Sequence, residues 1–319
     1  MSTPGPFRLH AHALQRLALI LLAALLLGSC SDGIFRLGDD DESNDDDDTS
    51  EEPCVEMPSS MTIGPADRQA EVQGPPGWCS NRQIPVIILL HGYGANASAQ
   101  DFLFRLSARV EQDHFLLVLP NGTYDNTGRR FWNGPPGCCN FYGSAVDDVA
   151  YLTGLIDELE QLATIAPQQV YFAGHSNGGF MSYRMACEKP ERLGAIASLA
   201  GSGYPNASDC SSTTPVSVLQ IHGENDSTIP YIGSEWYPGA EELVERWAAR
   251  NGCDLDAGTS DKALDLVDSL AGDETEVLNY TKGCTQPTEV SLWTITDGPH
   301  VPYVNDNFAE ELVSWLLSH

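Results

Sequence analysis

Val170-Tyr171-Phe172-Ala173-Gly174-His175-Ser176-Asn177-Gly178-Gly179-Phe180 is the stretch around which the rest of the chain is organised. Its first four residues form a compact apolar run that predicts a buried strand. Phe180 to Glu188 predicts a helix. Between them lies G-x-S-x-G, and strand, tight turn and helix together are the context of a nucleophile elbow. Such a turn holds its serine in a strained backbone conformation that lifts the hydroxyl clear of the sheet. Gly174 and Gly178 keep bulk away where strand and helix crowd together. The amide of Asn177 then points to where an oxyanion would form. The plainer reading is a chance match in a glycine-rich loop, and the flanking strand and helix argue against it.

Outward from the elbow, apolar runs alternate with helical patterns. Ile84 to Leu90, Phe115 to Leu119, Leu193 to Leu199, Val216 to Ile221 and Val290 to Ile295 predict buried strands. Asp147 to Leu162, Glu241 to Ala249 and Phe308 to Leu317 predict helices. The alternation implies an α/β fold, a mostly parallel sheet with helices on both faces. Ligands of such sheets bind outside the strand C-termini, where His91, Ser176 and His222 fall. No internal repeat or second domain boundary is evident.

A serine nucleophile in this setting needs an acid and then a histidine after it in the chain. Asp226 follows the strand ending at Ile221, in His222-Gly223-Glu224-Asn225-Asp226, with Glu224 the competing carboxylate. His300 follows Val290 to Ile295 in a Gly-Pro loop. It would take the serine proton while Asp226 holds its tautomer. His91 and His222, each before a Gly at a strand end, read as loop braces, and His175, inside the elbow, cannot easily turn back on its neighbour. The second oxyanion donor is expected after the first apolar strand, in His91-Gly92-Tyr93-Gly94, with the Tyr93 amide preferred and Gly92 next. No motif calls for a metal or an organic cofactor.

The 319 residues carry 45 Asp and Glu against 16 Lys and Arg, a net charge of −29. That excludes nucleic acid as a natural partner, because phosphates would be repelled. Arg8 and Arg16 precede the short apolar run Leu17 to Leu27, followed by Gly28-Ser29-Cys30: a secretory signal over residues 1–30. Leu27-Gly28-Ser29-Cys30 also resembles a bacterial lipobox. That resemblance implies lipidation of Cys30 and a tether to the outer membrane, and the alternative is ordinary cleavage near Ser29. Residues 31–56, with their run of acidic side chains, read as an extended tether that cannot build a core. The catalytic domain is then expected over residues 57–319. Setting Cys30 aside leaves eight cysteines, an even number that fits disulfides in a secreted chain. Cys187 with Cys210 and Cys253 with Cys284 are the preferred pairs, and Cys54 with Cys79 is a weaker one. Cys138 and Cys139 could bridge each other or two separate partners.

These pieces resemble one family, the secreted α/β-hydrolases that include short-chain polyhydroxybutyrate depolymerases and feruloyl or acetyl-xylan esterases. The likeness runs from about Gly74 to the C-terminus. It is carried by Trp132-Asn133-Gly134 before Cys138-Cys139, by Val146-Asp147-Asp148-Val149 and by the elbow with Ala186-Cys187-Glu188. Ile221-His222-Gly223 with Asp226, and Trp247 through Cys253 with Cys284, extend it. The resemblance implies an α/β-hydrolase fold and hydrolysis of a polymeric or oligomeric ester through an acyl-enzyme. A polyhydroxybutyrate-type polyester comes first as substrate, with feruloyl or acetyl-xylan esters as the alternative. A peptidase or a noncatalytic binding lipoprotein is the reading from another class. One departure stands out: the family's Trp-Pro-Gly after the histidine is replaced by Val301-Pro302, which leaves the substrate open. Trp132 is either a substrate platform or packing.

Overall fold

The computed structural model describes residues 52–319, except Pro167 and Gln286. The signal sequence, Cys30 and most of the acidic run lie outside the described residues.

The sheet follows from the apolar runs. Ten strands are β1 (Ser60–Ile63), β2 (Ala70–Gln73), β3 (Val86–Leu90), β4 (Leu116–Leu119), β5 (Val170–His175), β6 (Ala195–Leu199), β7 (Ser217–Gly223), β8 (Thr259–Ser260), β9 (Thr275–Tyr280) and β10 (Val290–Ile295). Their order is β1-β2-β4-β3-β5-β6-β7-β10-β9-β8. The inner six, from β4 to β10, are parallel to one another, and the flanking pairs are antiparallel. The parallel strands are buried on both faces, so they read as continuous apolar runs.

Five helices of two turns or more cover the sheet: α1 (Ala97–Phe104), α2 (Asp148–Leu162), α3 (Asn177–Glu188), α4 (Ala240–Arg250) and α5 (Asp306–Leu317). Alternate residues of β3 divide the core. Val86, Ile88 and Leu90 pack with Leu152 and Ile156 of α2, Met181 of α3 and Trp247 of α4. Ile87 and Leu89 pack with Phe104 of α1 and Phe308 and Leu312 of α5. Helices therefore stand on both faces. Among the described residues no helix is long and apolar enough to cross a membrane.

Three features depart from the sequence reading. The folded unit begins at Glu52, five residues before the expected boundary at 57. Cys54 is bridged to Cys79, the Val55 amide donates to Asn81 Oδ1 and the Asn81 side chain donates to Pro53 O, so this polar segment is held by a disulfide and by hydrogen bonds to the Asn81 side chain. Strands β1, β2, β8 and β9 and helix α1 add to the predicted set. β9 alternates buried and part-exposed side chains because it is antiparallel near an edge, so it offers no apolar run to read. Helix α3 begins at Asn177, three residues before Phe180, since the helix starts inside the elbow itself.

Candidate active site

Ser176 sits between β5 and α3 with φ 53° and ψ −119°, a region L-residues rarely occupy. Contacts on both sides hold it there. Its amide donates to Leu199 O at 2.8 Å and its carbonyl accepts from the Phe180 amide at 3.0 Å. A Cβ on Gly178 would run into the carbonyl of Leu90 and one on Gly174 into the backbone of Gly178, so strand and helix approach this closely only through glycine.

β7 and β10 are parallel neighbours that end in register, Gly223 opposite Ile295, so their following loops leave the sheet at one edge. The loops are bonded to each other. The Asn225 amide donates to Gly298 O at 3.0 Å and its side chain to Asp297 Oδ1 at 3.0 Å. This brings Asp226 and His300 together across 74 residues, and His300 to Ser176 across 124. His300 Nδ1 is 2.7 Å from Asp226 Oδ2, and its Nε2 is 3.0 Å from Ser176 Oγ. Asp226 Oδ1 accepts the amides of Thr228 and Ile229, both at 2.8 Å. Burial alone would raise the Asp226 carboxyl. The hydrogen bonds from His222, His300 and the Ile229 amide outweigh it and hold the group well below the usual carboxylate range. Glu224, the competing acid, is solvent-exposed.

The other histidines are committed elsewhere. His91 Nδ1 donates to Gly92 O at 2.8 Å and its Nε2 accepts the Gly122 amide at 2.9 Å. Burial lowers it to about 4, so it stays neutral. His175 Nε2 donates to His300 O at 2.8 Å, and burial followed by the neighbouring His300 lowers it likewise to about 4. His222 accepts from Gln220 at Nδ1 and donates from Nε2 to Ile229 O at 2.8 Å.

Of the amides near the serine, Gly92 is taken by Gln100 Oε1 at 3.2 Å and Gly94 by Arg130 O at 2.8 Å. The amides of Tyr93 and Asn177 donate to no acceptor among the described residues. Both are therefore free to donate, as an oxyanion donor must be. The Asn177 side chain clamps the backbone of Trp132, accepting its amide at 2.7 Å and donating to its carbonyl at 2.9 Å. Trp132 is fully buried with its indole N–H on His91 O at 3.0 Å, so it is packing and not a platform.

A cleft of about 790 Å³ opens over Ser176 and His300. Among the described residues no Asp, Glu, Lys or Arg lines it, although the chain carries −29. Phe102, Phe141, Trp236, Val301 and Tyr303 stand at its walls and are solvent-exposed, with Val301 in the place where the resembling family has tryptophan. Among the described residues no cluster of three or more His, Cys, Asp or Glu is placed to hold a metal ion.

All eight described cysteines are paired: Cys54–Cys79, Cys138–Cys139, Cys187–Cys210 and Cys253–Cys284. The three long-range bridges close loops and restrain the unfolded chain, each worth about 3–4 kcal/mol by loop-closure entropy. Cys138–Cys139 closes no loop. It lines the cleft beside Phe180, Ile229 and Tyr237, and so shapes a wall. Four disulfides fit an oxidising compartment outside the cytosol.

Missed by sequence reasoning were Gln100, which removes the Gly92 amide, and Trp236 on the Gly233–Pro238 hairpin. No local pattern marks either, since both reach the site only through the fold.

The chain resembles known proteins in sequence and in fold. It is 26% identical over 243 residues to feruloyl esterase C of Emericella nidulans, covering 73% of this chain and 76% of that one. It is 25% identical over 248 residues to feruloyl esterase B of Piromyces equi, covering 73% of this chain but only 42% of that relative's length. Among solved structures, acetyl xylan esterase from Aspergillus awamori superposes with a TM-score of 0.59 at 15% identity, over 81% of this chain and 100% of that one. The fold is that of the α/β-hydrolases. The Esterase family model matches residues 60–279, which carry the elbow and the acid loop, and the chain therefore belongs to the Esterase family.

Proposed function

We propose that this protein is a serine carboxylic ester hydrolase acting outside the cytosol on esters of neutral, apolar acids, of the feruloyl or acetyl-xylan kind. The observation that carries the reading is the double contact of His300, with Asp226 on one ring nitrogen and Ser176 on the other. Asp226 fixes the proton on Nδ1, which leaves the Nε2 lone pair facing Ser176 Oγ. The serine attacks the ester carbonyl as its proton passes to Nε2. The oxyanion forms against the amides of Tyr93 and Asn177. His300 then gives the proton to the leaving alcohol, and a water activated by the same nitrogen clears the acyl-enzyme.

For the substrate, the feruloyl or acetyl-xylan alternative is better supported than polyhydroxybutyrate. Feruloyl esterases are among the relatives that match, and the uncharged, aromatic-walled cleft suits a flat neutral acyl group. The test is kcat/KM on methyl ferulate, p-nitrophenyl acetate and 3-hydroxybutyrate oligomers. Methyl ferulate is expected to exceed the oligomers by at least tenfold. Faster hydrolysis of the oligomers would restore the polyester reading.

Lipidation of Cys30 belongs to the same proposal, since the residue ends the apolar signal run. Cys30→Ser is expected to shift the protein from the membrane fraction to the soluble fraction. Continued membrane association would refute the anchor.

A further inference from the structure

His222 of β7 is buried, and its hydrogen bonds run in both directions along a chain of side chains. Gln220 stands two positions earlier on the same face of the strand. Its carboxamide has one orientation: Oε1 accepts the Tyr183 hydroxyl at 2.9 Å, and Nε2 donates to Gly201 O, which can only accept, at 2.9 Å. The same Nε2 faces His222 Nδ1 at 3.0 Å. Nδ1 is therefore an acceptor, and the ring proton of His222 sits on Nε2.

That proton meets two acceptors. Nε2 is 2.8 Å from Ile229 O and 3.3 Å from Asp226 Oδ2. Oδ2 is also the atom that faces His300 Nδ1, at 2.7 Å. The amides of Thr228 and Ile229 hold the other oxygen, Oδ1, so the place of Oδ2 depends on its own two donors, His300 and His222. Tyr231 packs edge-to-face against the His222 ring, with centroids 5.7 Å apart, and its hydroxyl is 2.9 Å from Thr294 Oγ1. Tyr183 lies on α3, about two turns past Ser176. The chain Tyr183–Gln220–His222–Asp226 therefore ties the acid back to the helix that follows the nucleophile, through groups that are all buried.

We propose that His222 is a positioning residue of the reaction: its Nε2 proton holds Asp226 Oδ2 in line with His300, and Gln220 keeps that proton on Nε2. The inference rests on Ser176 attacking an ester with His300 as its base. The plainer alternative is a brace that acts through Ile229 O alone. Ile229 lines the cleft, so losing such a brace would lower the melting temperature and raise KM while leaving kcat in place.

His222→Asn and His222→Gln separate the two. The amide nitrogen of glutamine reaches the place of Nε2 and can still donate to Asp226, whereas that of asparagine stops one bond short, near the place of Nδ1. His222→Asn is expected to lower kcat on p-nitrophenyl acetate and methyl ferulate about 10- to 100-fold, with KM changed less than about threefold. His222→Gln should stay within about fivefold of wild-type kcat. An unchanged kcat in His222→Asn, a loss confined to KM, or a His222→Gln as slow as His222→Asn overturns the proposal. Should His222→Asn not fold, the wild type labelled with ¹⁵N at histidine decides: a His222 proton on Nε2 supports the proposal, and one on Nδ1 overturns it. Ser176→Ala is run beside them. Turnover that survives it defeats the esterase reading itself, whereas an inactive Ser176→Ala beside a fully active His222→Asn defeats only the role of His222.

Discussion

Ser176→Ala is expected to lower kcat on every ester by about 10⁴- to 10⁶-fold, with KM close to wild type. The only group lost is the hydroxyl that His300 Nε2 faces at 3.0 Å. What holds the elbow is backbone: the Ser176 amide on Leu199 O, the Phe180 amide on Ser176 O and the glycine contacts at 174 and 178. Alanine meets the same positive φ as serine, so the turn is strained to a similar degree in both. The midpoint of thermal unfolding should stay within a few degrees. Steady-state kinetics with a melting curve on the same sample checks this, and a variant that keeps a tenth of wild-type kcat would sink the mechanism.

Asp226→Asn is expected to cost about 10⁴-fold in kcat. The orientation of the new side chain follows from the bonds that remain. The amides of Thr228 and Ile229 both donate to Oδ1, so the asparagine carbonyl must stay there. Its NH₂ then replaces Oδ2 and points at His300 Nδ1 and His222 Nε2. Facing a donor, His300 accepts at Nδ1 and carries its proton on Nε2, the tautomer that cannot take the serine proton. A variant retaining more than a hundredth of wild-type kcat would refute this account.

The same residue makes a pH prediction. Its folded pKa is depressed, so its contribution to stability is present above the unfolded value of about 3.9 and is lost as pH falls through the folded value. The difference in melting temperature between wild type and Asp226→Asn should be constant above about pH 5 and shrink only below about pH 4. For the same reason protonation of Asp226 does not set the acid limb of activity. Calorimetry and kcat/KM from pH 3 to 8 test both statements, and a melting difference that closes between pH 5 and 7 would contradict them.

Much of the site could be read along the chain because its signals are local. The elbow needs a strand, a glycine on either side of the serine and a helix, all within about twenty residues. The parallel strands are legible because burial on both faces leaves unbroken apolar runs such as Val86–Leu90. The antiparallel strand β9 was not, since one side of it is partly wet.

The sequence by itself therefore determined the sheet's central strands, and it named a candidate nucleophile and the order in which its partners would follow. It named Asp226 and His300 as candidates because each ends a strand in a polar loop. Only the tertiary structure separated Asp226 from Glu224, by burying one beneath His300 and leaving the other in water. It alone removed the Gly92 amide from use, through a side chain eight residues away on another element. It also placed Trp132 in the core, and it paired Cys138 with its neighbour. The physical reason is that backbone conformation and burial period are written in adjacent residues, whereas which acceptor meets which donor depends on how the folded loops and helices face one another, whether the partners are eight residues apart, as Gly92 and Gln100 are, or 124, as Ser176 and His300 are.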